Sequence, residues 1–195
     1  MDYRDQLVLT GELNDVGAAI RTNVDRSYRT GVEIVGGYRF SNRLNWSGNI
    51  TLSENKIENF TEILYDYGVN YDEFNEVRNN FQDTDISFSP NVIAGSNAMF
   101  TPFANAEITW LAKYVGRQYL DNTSNDNRSI GSYLVNDLRL SYTFRPKGFR
   151  ELGLSLLINN ILDEEYASNG YTYGFIGGGQ VARQNYFYPQ AGRNF

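Results

Sequence analysis

The sequence contains no cysteine and no histidine. Thiol chemistry, disulfide scaffolds, Cys/His metal centres, histidine-bound haem and histidine-based triads are therefore excluded within this chain. Proline and methionine are scarce, at 4 and 2 residues. No apolar run approaches the roughly 20 residues that a membrane-spanning helix needs. Basic residues are outnumbered, 17 against 23 acidic, for a formal net charge of −6. That balance, with no basic cluster standing apart from acids, argues against nucleic acid as a partner. What the chain does have is 15 Tyr, 12 Phe and 18 Gly, a composition that suits strands and turns better than helices. The missing helix does not exclude a membrane, because spanning strands alternate and their average hydropathy is low.

Alternation with a period of two is the dominant pattern. From Tyr133 to Phe144, Leu134, Leu138, Leu140, Tyr142 and Phe144 oppose Val135, Asp137, Arg139, Ser141 and Thr143. After a turn of Arg145, Pro146, Lys147 and Gly148, Leu152, Leu154, Leu156 and Ile158 repeat it, which predicts a hairpin. Between about Thr22 and Ser53, Tyr28, Val32, Ile34, Tyr38 and Phe40, then Leu44, Trp46, Ile50 and Leu52, make one face. A tight turn at Ser41, Asn42 and Arg43 joins the two halves. Further strands are expected over 2–10, 91–100, 106–116 and 184–195, giving about eight in all. The segments 11–21, 54–90, 121–131 and 163–183 read as polar or glycine-rich loops.

Short turns near Asn42, Pro102 and Lys147 thus fall at one end of the sheet. Long connections near Asp15, Tyr71, Asn125 and Gly178 fall at the other. Tyr38, Phe40, Trp46, Phe100, Phe103, Tyr142, Phe144 and Phe149 gather by the short turns, while Tyr114, Tyr119 and Tyr133 lie toward the opposite rim. Loop asymmetry with aromatic rims is the pattern of an all-β, antiparallel transmembrane barrel. Hydrocarbon offers backbone N–H and C=O groups no partners, so only helices or closed sheets span it. A soluble sandwich predicts the alternation too, but neither the asymmetry nor the rims.

Five segments resemble the C-terminal barrel region of TonB-dependent outer-membrane receptors, particularly those of Bacteroidetes. They are DYRDQLVLTGELNDVG at 2–17, RTNVDRSYRTGVE at 21–33, KYVGRQYLDNT at 113–123, INNILDEEY at 158–166 and YPQAGRNF at 188–195. The resemblance implies outer-membrane lipid around the barrel of a Gram-negative cell. It also implies a plug domain and TonB engaged through an N-terminal region, and uptake of a scarce nutrient complex, typically a ferric siderophore. Such barrels have roughly 22 strands, so the chain, residues 1–195, is expected to be the C-terminal part of one, without its plug and with Met1 internal. No enzymatic activity and no cofactor are expected.

The wet face would carry Arg29, Glu33, Arg39, Glu107, Lys113, Arg117, Asp137 and Arg139 toward the lumen. Aromatics on the long loops, Tyr65, Tyr67, Tyr71, Phe74 and Phe81, with Tyr171 and Tyr173 in the glycine-rich segment, are the ligand-binding candidates. The oxygen-rich run Asp121, Asn122, Asn125, Asp126, Asn127 lacks the spacing of a calcium loop and reads as turn chemistry. Asp163, Glu164 and Glu165 read as a solvated cluster, and Gly177–Gly179 as a turn rather than a phosphate loop. Two other readings remain at this point: a small complete outer-membrane barrel with a structural or adhesive role, and a soluble β-sandwich binding carbohydrate through Tyr-rich loops.

Overall fold

The structure, a computed structural model, describes residues 1–14 and 16–195, with residues 11–13 by backbone only. Asp15, expected in a loop, lies outside the described residues. The strands are β1 (Asp2–Leu13), β2 (Ala19–Arg39), β3 (Leu44–Asp66), β4 (Asn75–Asp85), β5 (Val92–Phe100) and β6 (Ala106–Val115). They continue with β7 (Gln118–Tyr119), β8 (Ser129–Ile130), β9 (Tyr133–Phe144), β10 (Leu152–Ile158), β11 (Ala167–Gly177) and β12 (Gln180–Pro189). Among the described residues the helical element is a single 3-10 turn, Asp126–Arg128.

Seven strands form a wall in the order β1-β2-β3-β5-β6-β9-β10, every neighbouring pair antiparallel. The register aligns the apolar positions into rows across the sheet. Tyr38 stands beside Trp46, which continues through Ala98, Trp110 and Leu138 to Ile158. Ile34, Ile50, Ala94, Tyr114 and Leu134 make a second row. No second sheet of described residues covers this face. Val32, Ile34, Leu52, Leu134, Leu154 and Leu156 are all exposed. A sandwich would bury such rows, so the soluble-sandwich reading is corrected.

The indoles on this face are satisfied locally, as an apolar setting demands. Trp46 Nε1 donates to Ser96 Oγ at 2.9 Å and Trp110 Nε1 to Asn136 Oδ1 at 3.0 Å. Aromatic contacts mark the short-turn rim, with Tyr38 edge-on to Phe40 at 4.9 Å and Tyr142 near Phe103 and Phe144. The turn at residues 40–43 is closed by Phe40 N–H to Leu44 O, with Ser41 Oγ accepting from the Arg43 and Leu44 amides.

Three expectations about loops are corrected. The connection near Asp15 is short, since β1 and β2 pair out to Leu13 and Ala19. Residues 54–90 are no loop: β3 runs on to Asp66 and β4 pairs back along it. The glycine-rich stretch is the hairpin β11–β12, turned at Gly178 and Gly179 with φ of +60° and +75°. The last strand therefore ends at Pro189 and pairs with β11 rather than filling 184–195. Sequence parity hid the extended strands because the inward face switches part-way up. On β2 the buried positions step by three, from Ser27 to Val24, and on β3 from Ile57 to Phe60. At each step a pair drops out of the ladder beside an aspartate in the left-handed region, Asp5 (φ +52°) and Asp83 (φ +52°). Above the switches Val8, Val24, Ile57, Phe60 and Ile86 form a small core.

The two motifs near the C-terminal end interlock. Asn160 Nδ2 donates to Glu164 O and Ala191 O, its Oδ1 accepts from Glu164 N, and its own amide donates to Asp137 Oδ1. Asn159 and Asn194 exchange backbone hydrogen bonds at 2.8 and 3.2 Å. Asn160 sits at φ +49°, a conformation Asn tolerates better than most residues.

The uncovered rows generate a sharp prediction. Ile34 is 58 % exposed, so Ile34→Arg on a water-facing surface would change stability by only about 0.5 kcal/mol. Facing hydrocarbon near the midplane it costs roughly 2–4 kcal/mol. Refolding into lipid vesicles, read as a heat-modifiable band, is expected to fail or weaken with Ile34→Arg and to proceed with Glu33→Gln.

Candidate functional site

Beyond the wall, two hairpins stand on the long-connection rim and are zipped together. β11 meets the end of β3 in a parallel bridge between Ile176 and Asp66. Tyr67 N donates to Ile176 O at 2.9 Å and Gly178 N to Gly68 O at 3.0 Å. The aromatic candidates are gathered along this seam. Phe74 stacks on Tyr65 at 4.9 Å and meets Tyr67 at 5.9 Å. Tyr67 meets Phe175 edge-on at 5.9 Å, and Phe175 touches Tyr173 at 5.9 Å. Tyr71 lies over Gly177, where a Cβ would come within 2.5 Å of its ring. Lower on the same face of the β11–β12 hairpin, Tyr171 stacks on Tyr186 at 4.8 Å and approaches Tyr188. Phe81 stands apart: it is opposite Phe60 on β4 and packs against the small core.

Beneath the aromatics lies a buried charge cluster that no spacing in the sequence announces. Arg128 Nη1 reaches Glu62 Oε1 at 2.6 Å and Asp121 Oδ2 at 2.5 Å, and Arg183 Nη2 reaches the same Glu62 oxygen at 2.8 Å. Arg128, Glu62 and Asp121 are all nearly buried. β3, the segment following β7, the 3-10 turn and β12 are thus tied at one point. Burial alone would raise the Glu62 pKa. The Arg128 charge and hydrogen bond, then Arg183 and Asn79, outweigh it and hold the carboxyl below its usual value. The signal that could have flagged Arg128 is its place in an otherwise uncharged run, Asn127 to Ser129, beside the acid-rich 121–126.

The oxygen-rich run is consumed by turn chemistry and by ties to neighbours. Asp121 Oδ1 accepts from Thr123 N and Oγ1. Asn122 Oδ1 accepts from Ser87 N while its Nδ2 donates to Leu9 O. Asn125 caps the 3-10 turn through Asn127 N, and Asp126 pairs with Arg117 at 2.7 Å.

A cavity of about 240 Å³ opens against the cluster, lined by Arg21, Glu62, Tyr65, Asp121, Thr172 and Arg183 among others. Its lining carries two guanidiniums, Arg21 and Arg183, and two carboxylates, Glu62 and Asp121, and Arg128 pairs with both carboxylates from beside it.

The polar residues of the wall occupy the face opposite the apolar rows. Arg29 donates to Asn55 Oδ1 and Ser89 Oγ, and Arg39 folds back onto the turn at Ser41 and Asn42. Arg139 pairs with Glu107 at 3.0 Å, and Arg117 lies 5.2 Å over the Tyr119 ring. Lys113 and Asp137 border an open trough of about 480 Å³ at the middle of this face, floored by Gly95. Glu33 and Lys113 form no ion pair with a described residue. These eight residues are spread over the wall and do not converge on one point.

The family described as "TonB dependent receptor-like, beta-barrel" matches residues 1–161. The chain belongs to the TonB-dependent receptor β-barrel family. Members of this family are outer-membrane transport receptors, and their barrel fold agrees with the antiparallel wall. A search of curated proteins finds no match. Solved structures similar to the chain include the siderophore receptor PiuA from Acinetobacter baumannii, at TM-score 0.63 and 16 % identity over 98 % of this chain and 23 % of that one. The ferric yersiniabactin receptor FyuA from Yersinia pestis matches at TM-score 0.60 and 20 % identity over 89 % and 23 %. The ferric-catecholate import receptor Fiu from E. coli K12 matches at TM-score 0.58 and 16 % identity over 98 % and 22 %. The chain spans less than a quarter of the length of these structures.

Arg128→Met would leave two buried carboxylates without their shared cation, at a cost of about 3–5 kcal/mol. Limited proteolysis is expected to cut the β3–β4 and β11–β12 hairpins faster in the variant while the wall stays protected. Acid should act in the same direction. Because the folded-state pKa of Glu62 is depressed, its stabilisation is present above the ordinary carboxylate value and lost as pH falls through the depressed one. Proteolysis as a function of pH is expected to show the hairpins loosening as pH falls below the ordinary carboxylate range, and Glu62→Gln should flatten that profile.

Proposed function

We propose that this chain forms a C-terminal section of the wall of a TonB-dependent receptor in the outer membrane of a Gram-negative bacterium, and that the receptor imports a ferric siderophore. The observation that carries the reading is the open, two-faced wall. Its apolar rows are uncovered on one side, and its outer strands β1 and β10 each have only one neighbour within it. Hydrocarbon leaves such edges without hydrogen-bond partners, so the wall needs further strands beside β1 and β10 to close. This favours a section of a larger barrel over a small barrel standing alone.

In this arrangement the apolar rows contact lipid. Arg29, Glu33, Arg39, Glu107, Lys113, Arg117, Asp137 and Arg139 line the lumen, where the plug would sit. Glu33 and Lys113, which form no ion pair with a described residue, are the natural contacts for it. The zipped hairpins face the cell exterior, with Tyr65, Tyr67, Tyr71, Phe74, Tyr171 and Tyr173 presented to the ligand and Phe81 serving the core beneath them. The Arg21 and Arg183 guanidiniums lining the cavity beside Glu62 suit the anionic oxygens of an iron chelate. Three of the similar structures are a siderophore receptor, a ferric yersiniabactin receptor and a ferric-catecholate receptor, which supports the same cargo class. The role is transport energised through TonB, with no reaction catalysed.

Uptake of radiolabelled iron as a ferric catecholate by cells producing the receptor tests the reading. Accumulation is expected to need both the receptor and TonB, and to fall severalfold with Lys113→Glu at unchanged surface abundance. Accumulation that persists without TonB, or without the receptor, would overturn it.

A further inference from the structure

Asn169 and Gly170 form the one Asn-Gly pair in the sequence. Such a pair is chemically labile, because glycine puts no side chain between its own amide nitrogen and the asparagine carboxamide. The fold adds to that lability. Gly170 N donates to Asn169 Oδ1 at 2.8 Å, which holds the nitrogen beside the carboxamide it would attack. Other asparagines that take a nearby amide, such as Asn14, Asn125 and Asn160, take one that lies two or four residues on. None of these is followed by glycine.

The surroundings keep the reaction open. Ser168 is an extra residue on β11, between the pairing of Ala167 with Pro189 and that of Asn169 with Tyr188, and such a bulge disrupts the ladder locally. Asn169 is exposed. With Ser168 and Gly170 it lines a cavity of about 630 Å³ between the foot of the β11–β12 hairpin and the segments carrying Phe88 and Gln118, ample room for water. Position 170 must also stay glycine, since a Cβ there would collide with Tyr186 O and crowd Leu120. Strand pairing thus keeps the labile pair in place.

We propose that Asn169 and Gly170 are a self-modification site of the β11–β12 hairpin. Gly170 N gives its proton to water and bonds to Asn169 Cγ. The Cγ–Nδ2 bond breaks, and Nδ2 leaves as ammonia with a proton taken back from water. A second water then opens the cyclic imide at either carbonyl. One opening leaves aspartate, with a new negative charge beside the cavity. The other leaves isoaspartate, whose main chain is longer by a carbon atom. That length enters β11 at its foot, ahead of the stack of Tyr171 on Tyr186, the ion pair of Arg183 with Glu62 and the bridge of Ile176 to Asp66. It pushes this part of β11 out of register with β12, so the modified hairpin is held less firmly. The reaction consumes only water, and it goes beyond the uptake reading.

The test follows the full chain, refolded in lauryldimethylamine oxide micelles, through prolonged incubation in mildly alkaline buffer, with mildly acidic buffer as the comparison. Peptide mapping by mass reports each asparagine, and enzymatic methylation with a labelled methyl donor counts isoaspartate. Conversion at Asn169 is expected to outrun that at every other asparagine and to slow in the acidic buffer. Limited proteolysis of the converted protein should cut the β11–β12 hairpin severalfold faster, with the wall unchanged. Asn169→Gln should abolish both effects, because the larger ring that glutamine forms closes far more slowly. Where that variant gives no heat-modifiable band, Asn169→Ser takes its place. Freshly refolded Asn169→Asp adds the charge without lengthening the main chain, and its hairpin is expected to be cut no faster than that of the unmodified chain. Asn169 that stays intact in the folded chain while the denatured chain converts overturns the proposal. So does conversion that leaves hairpin cutting unchanged, or equal cutting of Asn169→Asp and the converted protein.

Discussion

Lateral register is the constraint on which the rest of the structure depends. A strand has side chains of opposite character on its two faces, so sliding any one strand by a single residue would exchange its whole apolar set for its polar set. The wall avoids this because each apolar residue stands beside apolar residues on neighbouring strands, as in the row from Trp46 to Ile158. The short turns secure that register mechanically. At 40–43, Ser41 caps two successive amides with one hydroxyl, which holds β2 and β3 in the alignment that pairs Tyr38 with Trp46. Partnering Trp46 and Trp110 with Ser96 and Asn136 then lets indoles occupy the apolar face without an unpaired N–H.

The same constraint accounts for what could be read from the sequence and what could not. Within the wall, parity is unbroken from Tyr28 to Leu52, from Ala106 to Tyr114 and from Leu134 to Ile158, and the faces assigned from alternation agree with the observed rows. Above the wall, Asp5 and Asp83 interrupt the ladders and the inward face changes parity. A reader counting by twos loses the strand there, which is why residues 54–66 look irregular although they continue β3. β11 misled for a different reason. Gly170, Gly174 and Gly177 suggested a loop, but at Gly170 the missing side chain serves close approach to Tyr186 and Leu120, and the aromatic residues between the glycines alternate as a strand requires.

The charge cluster was illegible for a third reason. Its members, Glu62, Asp121, Arg128 and Arg183, come from distant parts of the chain, and each alone is an ordinary surface residue. Only the zipping of β11 to the end of β3 brings them together.

The charge cluster decides how the two hairpins are held. Ion pairs between buried groups stabilise little in net terms, because desolvation offsets most of the attraction, but they are strongly directional and penalise misplacement. Concentrating the charges of four segments around Arg128 and Glu62 therefore fixes the hairpins in position. The cavity beside Glu62 is lined by members of this cluster, Glu62, Asp121 and Arg183. Loss of the cluster would free the hairpins to move against each other, and the cavity beside Glu62 would change shape with them.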